Sequence, residues 1–236
     1  MKKSLFGIVM ALALNTAILA DTPNTLSEHE KAAGWQLLFD GKTTDGWRSY
    51  GKPELSAEWH VEDGTLTFTP GKAGDIITEG TFTSFELSID WKISVGGNSG
   101  IFFHVVEGPS YAYMTGPEYQ LLDNAGRDEP PLEQAAALFA LYAPSRDVSH
   151  AADSWNTSKL VVIGEQVEHW LNGVKVVEYD MSSDNFKARV AASKFSPTGR
   201  NAAVMKDFAK ARSGHIALQD HGDKIAFRNI KIKPLP

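Results

Sequence analysis

Phe85, Leu87, Ile89, Trp91 and Ile93 alternate with Glu86, Ser88, Asp90 and Lys92. A period of two puts one set on a buried sheet face and the other in water, so this stretch predicts a strand. Ile101-Phe102-Phe103-His104-Val105-Val106 lacks that alternation and predicts a strand covered on both faces. Residues 59–62 and 65–68 flank Asp63-Gly64, and residues 167–171 and 175–179 flank Asn172-Gly173. Both pairs predict hairpins, because Asp-Gly and Asn-Gly accept the positive φ of a two-residue turn. Residues 35–39, 159–163, 214–219 and 224–233 add further strands. Helix is scarce. Ser27 and Glu30 have capping-box spacing with Gly34 placed to close a turn or two, and residues 182–192 read as one short helix. Residues 137–142 fit helix or strand, and their neighbours favour strand. Residues 196–212, with Pro197 and Gly199, read as a long loop over one face, and such loops often carry function. Many short strands separated by turns predict an all-β, two-sheet jelly-roll sandwich whose concave face suits an extended ligand.

One segment carries more chemistry than the rest: Gly116-Pro117-Glu118-Tyr119-Gln120-Leu121-Leu122-Asp123-Asn124. In a strand Glu118 and Gln120 share one face, and Tyr119 and Leu121 the other. With the second pair in the core, a carboxylate and an amide stand side by side on the open face. That suits a hydroxylated ligand, since the amide both donates and accepts. An ordinary half-buried strand has the same pattern, so this stretch alone does not decide.

Composition narrows the setting. The chain has 236 residues, no cysteine and a formal net charge of −6. Lys2, Lys3, an apolar run over residues 5–14 and Ala20 predict a signal peptide over residues 1–20, too short to span a bilayer comfortably. Without a Cys after it there is neither a lipoprotein acceptor thiol nor a disulfide. The expectation is a soluble exported protein, most simply periplasmic, with no membrane attachment after cleavage. Residues 21–34 read as a lead-in and residues 35–236 as one sandwich domain. No basic run is present, which argues against nucleic acid as a partner. Six Trp, six Tyr and twelve Phe are generous, and some Trp are candidate platforms for a pyranose face.

The candidate chemistry is sparse. No histidine pair has metal-ligand spacing and there are no thiolates, so the residues demand no cofactor. A hard divalent cation on Asp123, Asn124 or Asp220 stays an alternative to their use as turn formers. There is no G-x-S-x-G elbow. A glycosidase needs two carboxyl groups, but the face carrying Glu118 and Gln120 continues to Leu122. A lone Glu can still act as general base on a C–H acid if the substrate supplies the acidity. His169 and His221 are candidate proton carriers near neutral pH, and Lys194 and Arg228 candidate donors to a hydroxyl or oxyanion.

Several blocks taken together are specific. They are Leu38-Phe39-Asp40-Gly41-Lys42 with Gly46-Trp47, Asn98-Ser99-Gly100-Ile101-Phe102-Phe103, and the Gly116 to Asn124 segment. Trp155-Asn156, His169-Trp170-Leu171-Asn172-Gly173, Ser193-Lys194-Phe195, Gly214-His215-Ile216-Ala217-Leu218-Gln219-Asp220-His221-Gly222 and Phe227-Arg228-Asn229-Ile230 follow in order. The set resembles the 3-keto-disaccharide hydrolase family over nearly all of the chain after residue 20. The resemblance implies a concanavalin A-like lectin/glucanase fold, export, and a carbohydrate substrate oxidised at C3, supplied by a sugar 3-dehydrogenase. A 3-ketone acidifies the C2 hydrogen, so base removal, loss of the C1 substituent and addition of water give net hydrolysis. On this basis Glu118 is expected as base with His221 and His169 as catalytic partners. Asn98, Gln120, Lys194, Gln219 and Arg228 are expected to bind substrate. His104 joins them because Arg is expected there in relatives. The competing readings are a carbohydrate-binding module without turnover and a structural β-sandwich.

Overall fold

The computed structural model describes residues 22–236, so the expected signal peptide lies outside the described residues. In chain order the strands are β1 (Gln36–Leu37), β2 (Trp47–Ser49), β3 (Trp59–Glu62), β4 (Thr65–Phe68), β5 (Ile76–Thr78), β6 (Ser84–Ile93) and β7 (Asn98–Val105). They continue with β8 (Glu118–Leu122), β9 (Asn156–Ile163), β10 (Gln166–Leu171), β11 (Val174–Asp180), β12 (His215–Leu218) and β13 (Ile225–Leu235). Three helices accompany them: α1 (Glu28–Ala32), α2 (Asp184–Ala192) and α3 (Ala202–Met205).

The strands form two antiparallel sheets. One has the order β11-β10-β9-β6-β13-β4-β3, with β1 also paired to β13; the other has the order β2-β5-β12-β7-β8. The fold is thus the expected all-β, two-sheet jelly-roll sandwich of concanavalin A-like lectin/glucanase type. β6 alternates buried and half-buried positions throughout, as its sequence period demands. Residues 99–105 of β7 are all buried. Asp63 and Gly64 take φ of 49° and 75°, and Asn172 and Gly173 48° and 80°, which close the two hairpins. Ser27 and Glu30 complete a capping box on α1. The lead-in is clasped to β13: the Asn24 and Asn229 amides each donate from the backbone to the other's side-chain oxygen, at 2.7 and 2.8 Å.

The main core lies between the sheets and includes Trp59, Trp91, Phe85, Phe103, Tyr119 and Phe227. A smaller apolar cluster of Ile77, Phe102, Val105, Ala112 and Ala217 covers part of the outer face of the five-stranded sheet.

One expected strand is absent. Residues 137–142 form turns with isolated bridges, because Ala136 and Ala140 sit at φ of 68° and 61° and break any extended run. The segment still serves the edge of β8. Phe139 N–H donates to the Glu118 carbonyl at 3.0 Å, and Gln120 N–H to the Ala137 carbonyl at 3.1 Å.

His169 is fully buried between Tyr119 and Tyr179, with Nδ1 2.9 Å from the Ala136 carbonyl. Burial pulls its pKa down to about 4, so it is neutral in the fold at ordinary pH. The unfolded chain takes up this proton from about pH 6.5 downward, whereas the folded chain resists until about pH 4. Stability from this group is therefore complete above about pH 6.5 and lost as pH falls to 4, by about 3 kcal/mol. Denaturant titrations at pH 7 and pH 4 should show this loss in the native chain, and His169→Gln should reduce it by that amount.

Candidate active site

The outer face of the five-stranded sheet can be read as rows of paired residues. Ile77 pairs with Ala217, Ala217 with Phe102 and Phe102 with Glu118, giving an apolar row that ends in a carboxyl. One step along, Asp75 continues β5 opposite Gln219, whose N–H donates to the Gly100 carbonyl at 2.9 Å, and Gly100 pairs with Gln120. Directly opposed residues share a sheet face. The second row is therefore Asp75, Gln219, Gly100, Gln120, with a hollow at its one position without a side chain.

Glu118 leans into that hollow. A Cβ on Gly100 would lie 2.6 Å from Glu118 Oε1 and 3.0 Å from its Cγ. The surrounding cavity of about 420 Å³ is lined by Asp75, Asn98, Tyr111, Tyr113, Glu118, Gln120, Phe139, Lys194, Asn201, Met205, Gln219, Asp220 and His221. Its walls come from separate parts of the chain. Tyr111 caps and Tyr113 lies within a single turn of 3-10 helix, and the two rings stack at 5.5 Å and 13°. Lys194, Asn201 and Met205 come from the stretch after α2; residues 196–212, expected as a loop, carry the one-turn helix α3, which ends at Met205. Phe195 stacks on Phe208 at 4.1 Å and 3°, and both rings belong to the main core, which anchors this stretch to the sandwich. Asp220 shapes the remaining corner: its carboxylate accepts from Gly74 N–H at 2.8 Å and Gly222 N–H at 2.9 Å.

The electrostatics are unusual for a surface hollow. The Glu118 carboxylate accepts no hydrogen bond from the described residues, and Glu118 is only 7% exposed. Burial pushes its pKa up to about 8, against the opposing pull of Lys194 and with a further push from Asp75 and Glu133. Asp75 Oδ1 accepts from Asp220 N–H at 3.1 Å, yet burial still lifts its carboxyl to about 7. Lys194 is exposed overall, but its ammonium lies 4.1 Å from the centre of the Phe139 ring. Partial withdrawal from water lowers its pKa, and the charges of Glu118 and Glu133 counter that.

Three of the lining amides are unfinished. The side-chain oxygens of Asn98, Gln120 and Gln219 are buried and have no hydrogen-bond partner among the described residues. A buried polar atom left unpaired costs about 1–3 kcal/mol, so three in one cavity mark a place for donors supplied from outside.

The structure thus brings together Glu118, His221, Asn98, Gln120, Lys194 and Gln219, and separates the other three expected residues from them. His169 lies behind β8, on the core side with Tyr119, because Val167, His169 and Leu171 share the inward face of β10. It cannot reach a ligand in the hollow. His104 would share the outer face with Gly100 and Phe102 by alternation. A φ of 52° where the β7–β12 register slips turns it away, and its Nε2 lies 2.8 Å from the Thr83 carbonyl. Arg228 is on β13 in the other sheet, with its guanidinium 4.0 Å over the Trp155 ring and 3.4 Å from Asp90.

Arg228 and Trp155 line a second cavity, of about 560 Å³. It is larger, and several of its charges are already paired: Lys224 with Glu62, Arg228 with Asp90, and Asp40 with the Lys42 and Thr43 amides. None of the unpaired amide oxygens lies there. Of the aromatic platforms expected from Trp, the hollow has none; Tyr111, Tyr113 and Phe139 line it instead. The candidate cation ligands serve backbone donors: Asp123 accepts from Gly96 N–H and Asn124 from Ala135 N–H. Among the described residues no three His, Cys, Asp or Glu side chains cluster as a metal site.

Asp75 is the residue the sequence reasoning missed. It follows Gly74 and precedes Ile76-Ile77, which reads as a turn before a short apolar run. Its face is set only by the β5-β12-β7-β8 order, which joins strands far apart in the chain.

A family model described as a 3-keto-alpha-glucoside-1,2-lyase-like domain matches residues 34–233. A 3-keto-disaccharide hydrolase of Bacteroides thetaiotaomicron is 32% identical over a 252-residue alignment, covering 96% of this chain and 87% of the relative. A crystal structure from Parabacteroides distasonis, described as a candidate glycosyl hydrolase, superposes with a TM-score of 0.83 at 34% identity, covering 91% of this chain and all of that one. A second such structure from the same organism gives 0.66 at 26% identity, covering 85% and 99%. With a matching model over nearly the whole sandwich and a relative of this identity along almost its full length, the chain belongs to the 3-keto-disaccharide hydrolase family.

Proposed function

We propose that the hollow on the five-stranded sheet cleaves 3-keto-glycosides. One observation supports this most directly: the unpaired Glu118 carboxyl lies among three unpaired amide oxygens. A sugar offers several hydroxyl donors on a small rigid ring, which is what three fixed acceptors require. The stacked Tyr111 and Tyr113 offer an apolar face to its C–H groups.

The chemistry follows from the 3-ketone. Glu118, ionised, removes the C2 proton. The charge moves to the C3 oxygen, where the Lys194 ammonium can stabilise it. The C1 substituent then leaves, and water adds at C1 as a proton returns to C2. A pKa near 8 makes Glu118 a stronger base than an ordinary carboxylate, and keeps it within reach of ionisation at neutral pH. Exposed His221 stands where a departing aglycone would pass. On this reading a sugar 3-dehydrogenase supplies the substrate, and the chain acts after export.

The test is to incubate the protein with a 3-keto-disaccharide and with its unoxidised parent, with and without a chelator, and to follow monosaccharide release. Release from the keto form alone, unaffected by chelator, is expected. Release from the parent as well would indicate ordinary glycosidase chemistry. Binding of both without release would return the fold to a carbohydrate-binding role.

A further inference from the structure

We propose that Asp75 is the second proton-transfer residue of the hollow, serving the departing C1 oxygen while Glu118 serves C2. The inference rests on the reading above and adds to it a residue and a division of labour.

The argument begins with placement. Asp75 and Glu118 enter from opposite sides, β5 and β8, with β12 and β7 as the floor between them. Glu118 folds back over Gly100 on β7. Two inter-strand steps, roughly 10 Å, then separate the Glu118 carboxyl from the β5 backbone. The Gln219 side chain rises from the floor within that gap, so a pyranose ring would lie over its amide with a carboxyl at either side. Depth distinguishes the two groups. Glu118 lies on the floor, where only the ring can reach it. Asp75 is half-buried at the wall beside the exposed turn of His221 and Gly222, the side from which an aglycone leaves.

Such a pair balances the protons of the reaction. In the elimination the C2–H bond breaks and its proton goes to the Glu118 carboxylate. The C1–O bond breaks, and the leaving oxygen takes the proton of the Asp75 carboxylic acid. The product is an enone with a C1=C2 double bond. The pocket still holds one proton, now on the other carboxyl. In the hydration, water forms the new C1–O bond and loses its proton to Asp75, while Glu118 returns a proton to C2. Both groups end as they began, and no redox partner is needed.

The surroundings suit a shared proton. Glu118 faces Lys194, Glu133 and Asp75; Asp75 faces Asp220, Glu118 and the phenols of Tyr50 and Tyr113. Burial raises both carboxyls to near neutrality, about 8 and about 7. Between those values the pair holds about one proton, which the one-unit difference favours on Glu118 by about tenfold, so the reactive arrangement with the proton on Asp75 is the minor one. Carboxyls of nearly equal strength exchange roles at little thermodynamic cost.

The test uses Asp75→Asn, which keeps an oxygen to accept the Asp220 amide, and two substrates. One is a 3-keto-disaccharide, whose leaving alkoxide needs a proton. The other is 4-nitrophenyl 3-keto-glucoside, whose phenolate does not. The variant should lose about 100-fold or more in kcat/KM on the disaccharide. It should change less than about fivefold in nitrophenolate release, while the enone accumulates because its hydration is slowed. Equal losses on both substrates, or no loss on either, would overturn the proposal, the first by reducing Asp75 to a structural residue. If the unmutated protein cleaves neither substrate, the keto-glycoside reading itself fails, which the wild-type control reveals separately.

Discussion

Glu118→Gln is expected to lower turnover of a 3-keto-disaccharide by about 10³-fold and at the same time to make the protein more stable above neutral pH. The activity loss follows from removing the group that takes the C2 proton, a contribution of about 10²–10⁴-fold for a positioned base. Gln is nearly the same shape and keeps one acceptor oxygen, so sugar affinity should change little. The stability gain follows from linkage. The Glu118 carboxyl has a folded pKa of about 8 against an ordinary 4.5. Between these values the folded chain holds a proton that the unfolded chain has released. Its contribution is fully present below about pH 4.5 and is lost as pH rises through 8. The swing is about 5 kcal/mol. Denaturant unfolding at pH 9 should show Glu118→Gln more stable than the native chain by about that amount, with the two equal near pH 4.5. An active, unstabilised variant would show that the carboxyl is neither the base nor a strained buried acid.

Gly100→Ala should have the second-largest effect. The added methyl group would sit 2.6 Å from Glu118 Oε1, well inside contact distance. The Glu118 side chain must move, because backbone on both sides of Gly100 is held by β8 and β12. Overpacking of this kind costs about 1–3 kcal/mol. A displacement of about 1 Å from the working geometry costs about 10²-fold in rate. A double-mutant cycle separates this from a general strand effect. In a Glu118→Ala background the same Gly100→Ala change should cost almost no stability, since nothing remains for the methyl to strike. A stability loss that is equal in both backgrounds would place the clash elsewhere.

The legibility of this molecule follows the range of the interactions involved. Local rules reach the hairpins at Asp63-Gly64 and Asn172-Gly173, the cap at Ser27, and the alternation of β6. Each is decided within a few residues by φ preference or by a period of two. The same alternation correctly opposed Glu118 and Gln120 to Tyr119. It also carried the answer for His169, which shares the inward face of β10 with Val167 and Leu171. His104 was not legible, because a single left-handed residue reverses its side chain without any sequence mark. Arg228 and Asp75 were not legible for a different reason. Which sheet a strand joins, and beside which partner, is set by contacts between segments over a hundred residues apart, such as β5 with β12. The wall residues Tyr111, Asn201 and Met205 reach the hollow from turns and from the single-turn α3, which are too short for a periodicity to be read.

The hollow is built from two kinds of parts. Glu118, Gln120, Asn98 and Gln219 stand on paired strands or their immediate continuation, whereas Lys194, Asn201 and Met205 stand on a stretch whose own Phe195–Phe208 stack keeps it together. Change in the two parts has unequal consequences. A substitution on the strands disturbs a sheet, while exposed positions of the stretch after α2, which Phe195, Met205 and Phe208 root in the core, can change without touching a paired strand. Lineages facing new aglycones can therefore diversify at those exposed positions, and an engineer can vary them with Lys194 and the sheet left in place.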